Sequence, residues 1–219
     1  MVASDEHAET QSANRQSSIV NRQSKWVIGL FGQVCAGKSA VAEAFRKQGA
    51  RVFDADKAVH ALYQNPEVAA QVRELFGKEA LDSQGGVDRK SLGAIVFSDP
   101  AKLKLLTESV IFPRVNAALR EEIEQFKQAQ ESYLLIDAPT LLEAGEGGLC
   151  DRLVMVTAPW ERRVDWAEKR GWTVEELRRR DARMLDEAAK RAQASVVLEN
   201  NGSLAGLEVK VHEILGSLA

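Results

Sequence analysis

The chain is poor in the residues that several common kinds of protein depend on. Its 219 residues include only two cysteines, Cys35 and Cys150, too few and too isolated for a disulfide framework or a thiolate metal cluster. The three histidines, His7, His60 and His212, show no metal-ligand spacing. No apolar run is long enough to span a bilayer. Charge of one sign is also lacking: a net charge of -3 gives no general pull toward nucleic acid or an acidic membrane, so any basic site must be local. There is no internal repeat. Residues 1–24 are polar, lack the apolar segment of a secretory signal, and read as a disordered extension ahead of one domain at 25–219. These absences point to a soluble protein of the reducing cytoplasm, with neither nucleic-acid nor membrane partner.

What is present starts at residues 26–40, WVIGLFGQVCAGKSA. Trp26, Val27, Ile28, Leu30 and Phe31 have the length and composition of a strand buried on both faces. Gly32, Gly37, Lys38 and Ser39 then fit the spacing G-x-x-x-x-G-K-[ST], with a helix following. Glycine lets the loop curl so that its N–H groups surround a polyphosphate. The helix start adds its positive dipole end, Lys38 can reach the β- and γ-phosphates, and Ser39 offers a hydroxyl to Mg²⁺. The nucleotide contacts therefore fall on Gly32, Gln33, Val34, Cys35, Ala36, Gly37, Lys38, Ser39 and Ala40, for ATP or GTP. The loop says nothing about the acceptor.

Further along, helical periodicity covers 40–48, and Arg51-Val52-Phe53 is a short strand ending in Asp54-Ala55-Asp56. Carboxylates at a strand end suit a site in an open α/β sheet, although a helix N-cap pair would place the same residues there. A helix is expected over 57–64. Residues 65–130 read as a helical insertion without a convincing strand, with two helices meeting near Pro113. Tyr133-Leu134-Leu135-Ile136-Asp137 is a strand ending in an acid, as in a Walker B element. Strands over 151–157 and 196–198 follow, separated by an arginine-rich helical stretch at 160–191, and a helix at 204–218 closes the chain. Strands alternating with helices predict a three-layer α/β sandwich with a five-stranded, mostly parallel sheet and an arginine-rich lid at about 160–185.

An ordered set of motifs is similar to those of the dephospho-CoA kinase family. The loop frame Gly29-Leu30-Phe31-Gly32-Gln33-Val34-Cys35-Ala36-Gly37-Lys38-Ser39 is followed by Asp54-Ala55-Asp56. Then come Asp88-Arg89-Lys90-Ser91-Leu92-Gly93-Ala94-Ile95-Val96-Phe97, Asp137-Ala138-Pro139-Thr140-Leu141-Leu142-Glu143, and Val197-Leu198-Glu199-Asn200-Asn201-Gly202-Ser203. Departures are also visible. Gln33 and Cys35 stand where the family has glycines, Phe112-Pro113 where it has His-Pro, and Trp166 where the lid has a middle arginine between Arg163 and Arg170.

The resemblance implies transfer of the ATP γ-phosphoryl group to the ribose 3′-hydroxyl of dephospho-CoA. Asp56 would be the base, with Asp54, Asp56 and Arg89 toward the acceptor. Mg²⁺ would sit on Ser39 and, through water, on Asp137. Arg163 and Arg170 would be the lid cations, acting with Lys38. The Arg178-Arg179-Arg180 run reads as a solvated face, and Trp160, Trp166 and Trp172 as lid packing. The rival readings are a different small-molecule kinase of the same fold and a nucleotide-binding module that has lost catalysis. No N-K-x-D guanine signature is present.

Overall fold

The computed structural model describes residues 24–218; the extension expected at 1–24 lies, but for its last residue, outside them. The elements in chain order are β1 (Trp26–Gly32), α1 (Lys38–Lys47), β2 (Arg51–Asp54), α2 (Ala55–Leu62), α3 (Pro66–Phe76), α4 (Arg89–Phe97), α5 (Pro100–Leu106) and α6 (Phe112–Gln128). They continue with β3 (Tyr133–Asp137), β4 (Arg152–Thr157), α7 (Trp160–Glu168), α8 (Val174–Asp181), α9 (Glu187–Gln193), β5 (Val196–Glu199) and α10 (Leu204–Gly216). The sheet order is β2-β3-β1-β4-β5, and every pairing is parallel rather than merely most of them.

Alternation along the central strands builds the three layers. Ile28 and Leu30 of β1, with Leu135, Val154 and Val156, pack against Val41 and Phe45 of α1 and Val211 and Leu215 of α10. Val27, Leu134 and Ile136 face the other way, onto Leu119, Ile123 and Phe126 of α6. The insertion between β2 and β3 has a core of its own around Val68, Val72, Leu92, Val96 and Val110. A small fourth cluster, Cys35 with Ala167 and Leu177, joins the lid helices to the loop after β1.

Two helical expectations change. Residues 100–128 run on through one π-helical turn, Thr107–Ile111, instead of breaking at Pro113. Proline is tolerated because it sits in the first turn of α6, and the widened turn before it absorbs the mismatch. The stretch 160–191 is three helices, since Gly171 at φ +75° turns the chain between α7 and α8, and Asp186 starts α9 by accepting from Ala189 N.

Candidate active site

The carboxyl ends of the strands gather the site. β1 has β3 on one side and β4 on the other, so the loop after it lies at the point where strand order reverses, the place open α/β sheets bind ligands. Glycine is required twice. Gly32 has φ +147°, and a Cβ there would stand 2.1 Å from Val156 O; Gly37 has φ +85°, and a Cβ would stand 2.3 Å from Asn200 Nδ2.

Three loop carbonyls are taken up by side chains. Gln33 O accepts from Lys38 Nζ at 3.1 Å, Val34 O from Arg163 Nε at 2.8 Å, and Ala36 O from Asn200 Nδ2 at 3.0 Å. By contrast, the N–H groups of Val34, Cys35, Gly37, Lys38 and Ser39 donate to no backbone carbonyl of a described residue. Engaged carbonyls and free amides at a helix start make an anion nest.

Gln33 and Cys35, which replace glycines, are accommodated differently. The Gln33 amide accepts from Ala158 N at 3.1 Å and donates to Glu187 at 2.7 Å, which fastens the loop to the lid base. Cys35 takes φ +57°, the single positive φ outside glycine among the described residues, and its Sγ lies 3.4 Å from Arg170 Nη1.

Above the nest lies a cleft of about 740 Å³. Its floor carries Lys38, Ser39, Asp56 and Asp137; the lid contributes Arg170, Trp172, Arg180 and Arg183; the insertion contributes Phe97, Thr107 and Phe112. Lys38 is held below its ordinary pKa by burial, which the Asp137 charge opposes. Burial pushes Asp137 up to about 6, with Lys38 pulling it down and Asp54 and Asp56 pushing it further up. Asp56 is raised by burial and by the Asp54 charge, and lowered by Lys38 and Arg89. Three carboxylates of the D-A-D segment and the β3 end thus share one field with one buried lysine. Beside the nest is a second cavity of about 430 Å³, walled by Gly37, Arg162, Trp166, Asn200 and Leu204, which Arg170 also lines.

The sequence-derived site residues separate in space. The loop from Gly32 to Ala40, with Asp56, Asp137 and Arg170, comes together. Asp54 is not among the residues lining the cleft: it ends β2 and caps α2, accepting from Lys57 N at 3.0 Å and pairing with Lys57 Nζ at 3.1 Å. Arg89 is exposed and meets His60 Nδ1 at 2.8 Å on the flank of the cleft. Arg163 is only 5% exposed, bound to Val34 O and to Asp181, and faces away from the cleft floor. Its place is that of a brace between loop and lid.

Arg180 and Arg183 line the cleft without belonging to any motif of the sequence. The Arg178-Arg179-Arg180 run has the sequence pattern of a solvated face, but Arg180 stacks at 3.9 Å over Trp172 and lines the cleft. Lys190, 3% exposed, carries no sequence signal for the site; its Nζ reaches Gly32 O at 3.4 Å and Glu143 at 3.9 Å, and burial lowers its pKa.

A nucleotide nest with a lysine and serine at its helix start, a strand-end acid and a cationic lid define the chain as a P-loop small-molecule kinase. The family model described as dephospho-CoA kinase matches residues 26–206, and the chain belongs to that family. It is 38% identical to the dephospho-CoA kinase of Aquifex aeolicus over 180 residues, 81% of this chain and 89% of that protein. Identity to the dephospho-CoA kinase of Deinococcus radiodurans is also 38%, over 193 residues, 87% of this chain and 91% of that one. The crystal structure of TT1252 from Thermus thermophilus superposes with a TM-score of 0.76 at 34% identity, covering 90% of this chain and 99% of that one. Dephospho-CoA kinase from Campylobacter jejuni, at 22% identity and a TM-score of 0.67, covers 88% and 96% and shares the fold.

Proposed function

We propose that the chain transfers the γ-phosphoryl group of ATP to the ribose 3′-hydroxyl of dephospho-CoA, releasing CoA and ADP. The observation that carries this reading is the free-amide nest opening into a cleft that also holds Lys38 and Asp56.

In phosphoryl transfer the protein mainly positions the reactants and neutralises charge. The β- and γ-phosphates lie in the nest with Lys38 against them, and the nucleoside extends into the neighbouring cavity between Arg162, Trp166 and Asn200. The 3′-oxygen forms a bond to the γ-phosphorus, the bond from that phosphorus to the β,γ-bridging oxygen breaks, and the hydroxyl proton passes to Asp56. Arg170, Arg180 and Arg183 come from the lid to offset the charge that develops, and Arg89, whose charge acts on Asp56, is the candidate contact for the acceptor.

Ser39 and Asp137 are both oxygen donors on the cleft floor, a set that suits Mg²⁺. Substrate phosphates and waters would supply the remaining ligands, the usual arrangement for Mg²⁺ bound by one or two protein oxygens. When bound there, Mg²⁺ would neutralise the phosphate oxygens.

No helix of the described residues is long and apolar enough to cross a membrane. The reading is tested by ADP release with dephospho-CoA as acceptor, against AMP and water as controls; turnover independent of dephospho-CoA would refute it.

A further inference from the structure

Helix α9 buries one side chain, and it is a lysine. Lys190 is 3% exposed, and a buried ammonium is costly unless its charge is matched or used. Its nearest acid matches it poorly. Glu143 lies 3.9 Å away; its Oε1 already accepts from Leu185 N at 3.0 Å, and its buried Oε2 has no hydrogen bond among the described residues. A buried pair of that geometry gives the fold little net stability. The contact with the phosphate loop is more specific. Lys190 Nζ donates to Gly32 O at 3.4 Å, and Gln33 N, in the same peptide, donates to Val156 O at 3.1 Å, so the peptide that opens the nest is held at both ends. The next carbonyl, Gln33 O, accepts from Lys38 Nζ at 3.1 Å. Two consecutive carbonyls are thus held by two ammonium groups. Lys38 lines the cleft, whereas Lys190 lines a separate cavity with Gln33, Arg163 and Asp181. The two charges nevertheless act on each other: Lys38, lowered by burial against the Asp137 charge, is lowered further by Lys190.

We propose that Lys190 is a positioning residue for the nucleotide: it fixes the Gly32–Gln33 peptide at the start of the nest and adds a buried positive charge to the field in which the triphosphate binds. The inference rests on the reading of the nest as the seat of the ATP phosphates. Glycine leaves this peptide little intrinsic restraint, so the restraint has to come from its partners. A carbonyl oxygen held by an ammonium is withheld from the phosphates, which it would repel, and the amides that follow stay free for them. Lys190 does not line the cleft and touches no phosphate; it acts through the Gly32 carbonyl and through space, where low dielectric keeps a buried charge effective. The nest holds the phosphates before and during transfer alike. Losing Lys190 therefore weakens binding of ATP and leaves the chemical step nearly as it was.

The test measures ATP binding to the full chain by calorimetry with Mg²⁺, beside turnover with dephospho-CoA. In Lys190→Met the Kd and the KM for ATP are expected to rise about tenfold, while kcat and the KM for dephospho-CoA stay within about threefold. This variant also strands the Glu143 carboxylate, so its thermal midpoint should fall. The double variant Lys190→Met/Glu143→Gln removes both charges; it should regain most of the lost midpoint and keep the weakened ATP binding. It carries the test by itself where the single variant does not fold. ATP affinity at the natural level in folded Lys190→Met overturns the inference. So does recovery of ATP affinity in the double variant, since Lys190 would then serve only to neutralise Glu143. Failure of the underlying reading looks different: a natural chain that binds no ATP refutes the nest and the inference with it, whereas ATP binding without turnover of dephospho-CoA refutes the acceptor alone and leaves the Kd comparison decisive.

Discussion

Lys38 and Asp56 line one cleft, and under the proposed mechanism the consequences of removing them differ. If Lys38 acts on the transferring phosphate as proposed, Lys38→Met lowers kcat by about 10²–10³, measured by ADP release at saturating substrates. Asp56→Asn leaves the nest intact, so ATP binding by calorimetry stays within about twofold while kcat falls by roughly 10²–10⁴. The pH profile follows from the direction of the Asp56 shift. Burial raises this carboxyl, its ionised form is the active one, and activity is therefore lost as pH falls through a pKa above the ordinary aspartate range. An acid limb at an ordinary aspartate value, or one unchanged in Asp56→Asn, would remove Asp56 from the role of base.

The loop itself was legible in the sequence because few residue types tolerate its backbone: Gly32 and Gly37 have positive φ and no room for a Cβ. The role of Asp54 was not legible, since a helix cap and a catalytic acid are the same residue type at the same strand end.

At the level of elements, the lid is built from α7, α8 and α9 and fastened to the loop by Arg163, Gln33 and Lys190. Arg163→Met leaves Val34 O and part-buried Asp181 without their partner. Stability is expected to drop by about 1–3 kcal/mol, read as a lowered thermal midpoint, with kcat less affected than in Arg170→Met. If Arg163→Met instead kept the natural midpoint and lost most of kcat, Arg163 would be a lid cation and not a brace. Closure of the lid over both substrates should protect residues 163–183 from hydrogen exchange, and unchanged exchange there would remove the closure. Sequence periodicity gave the helical character of 160–191 but not its two turns, because Gly171 was masked by the charged, helix-forming residues around it. The pairing of Arg163 with Asp181, 18 residues away, depends on how α7 and α8 pack, and no local pattern encodes that distance.

Over the whole molecule, the sheet order and the three layers follow from buried strands alternating with amphipathic helices, and that alternation is written plainly in the chain. The division of labour is less visible in sequence. The insertion folds around its own core, and a separate small cluster joins the lid helices to the loop after β1, so the cleft lies between two independently packed groups of side chains. The third layer of α6 brings Phe112 and Asn116 beside Asp56, 56 to 60 residues earlier in the chain, a meeting that only the packed structure reveals. The central claim is that these parts make one active site for one acceptor. Its most direct test is ADP release from ATP and Mg²⁺ with and without dephospho-CoA, in the natural chain and in Lys38→Met and Asp56→Asn. Turnover that requires dephospho-CoA and collapses in both variants is the predicted result; tight ATP binding with no turnover of dephospho-CoA would contradict the account.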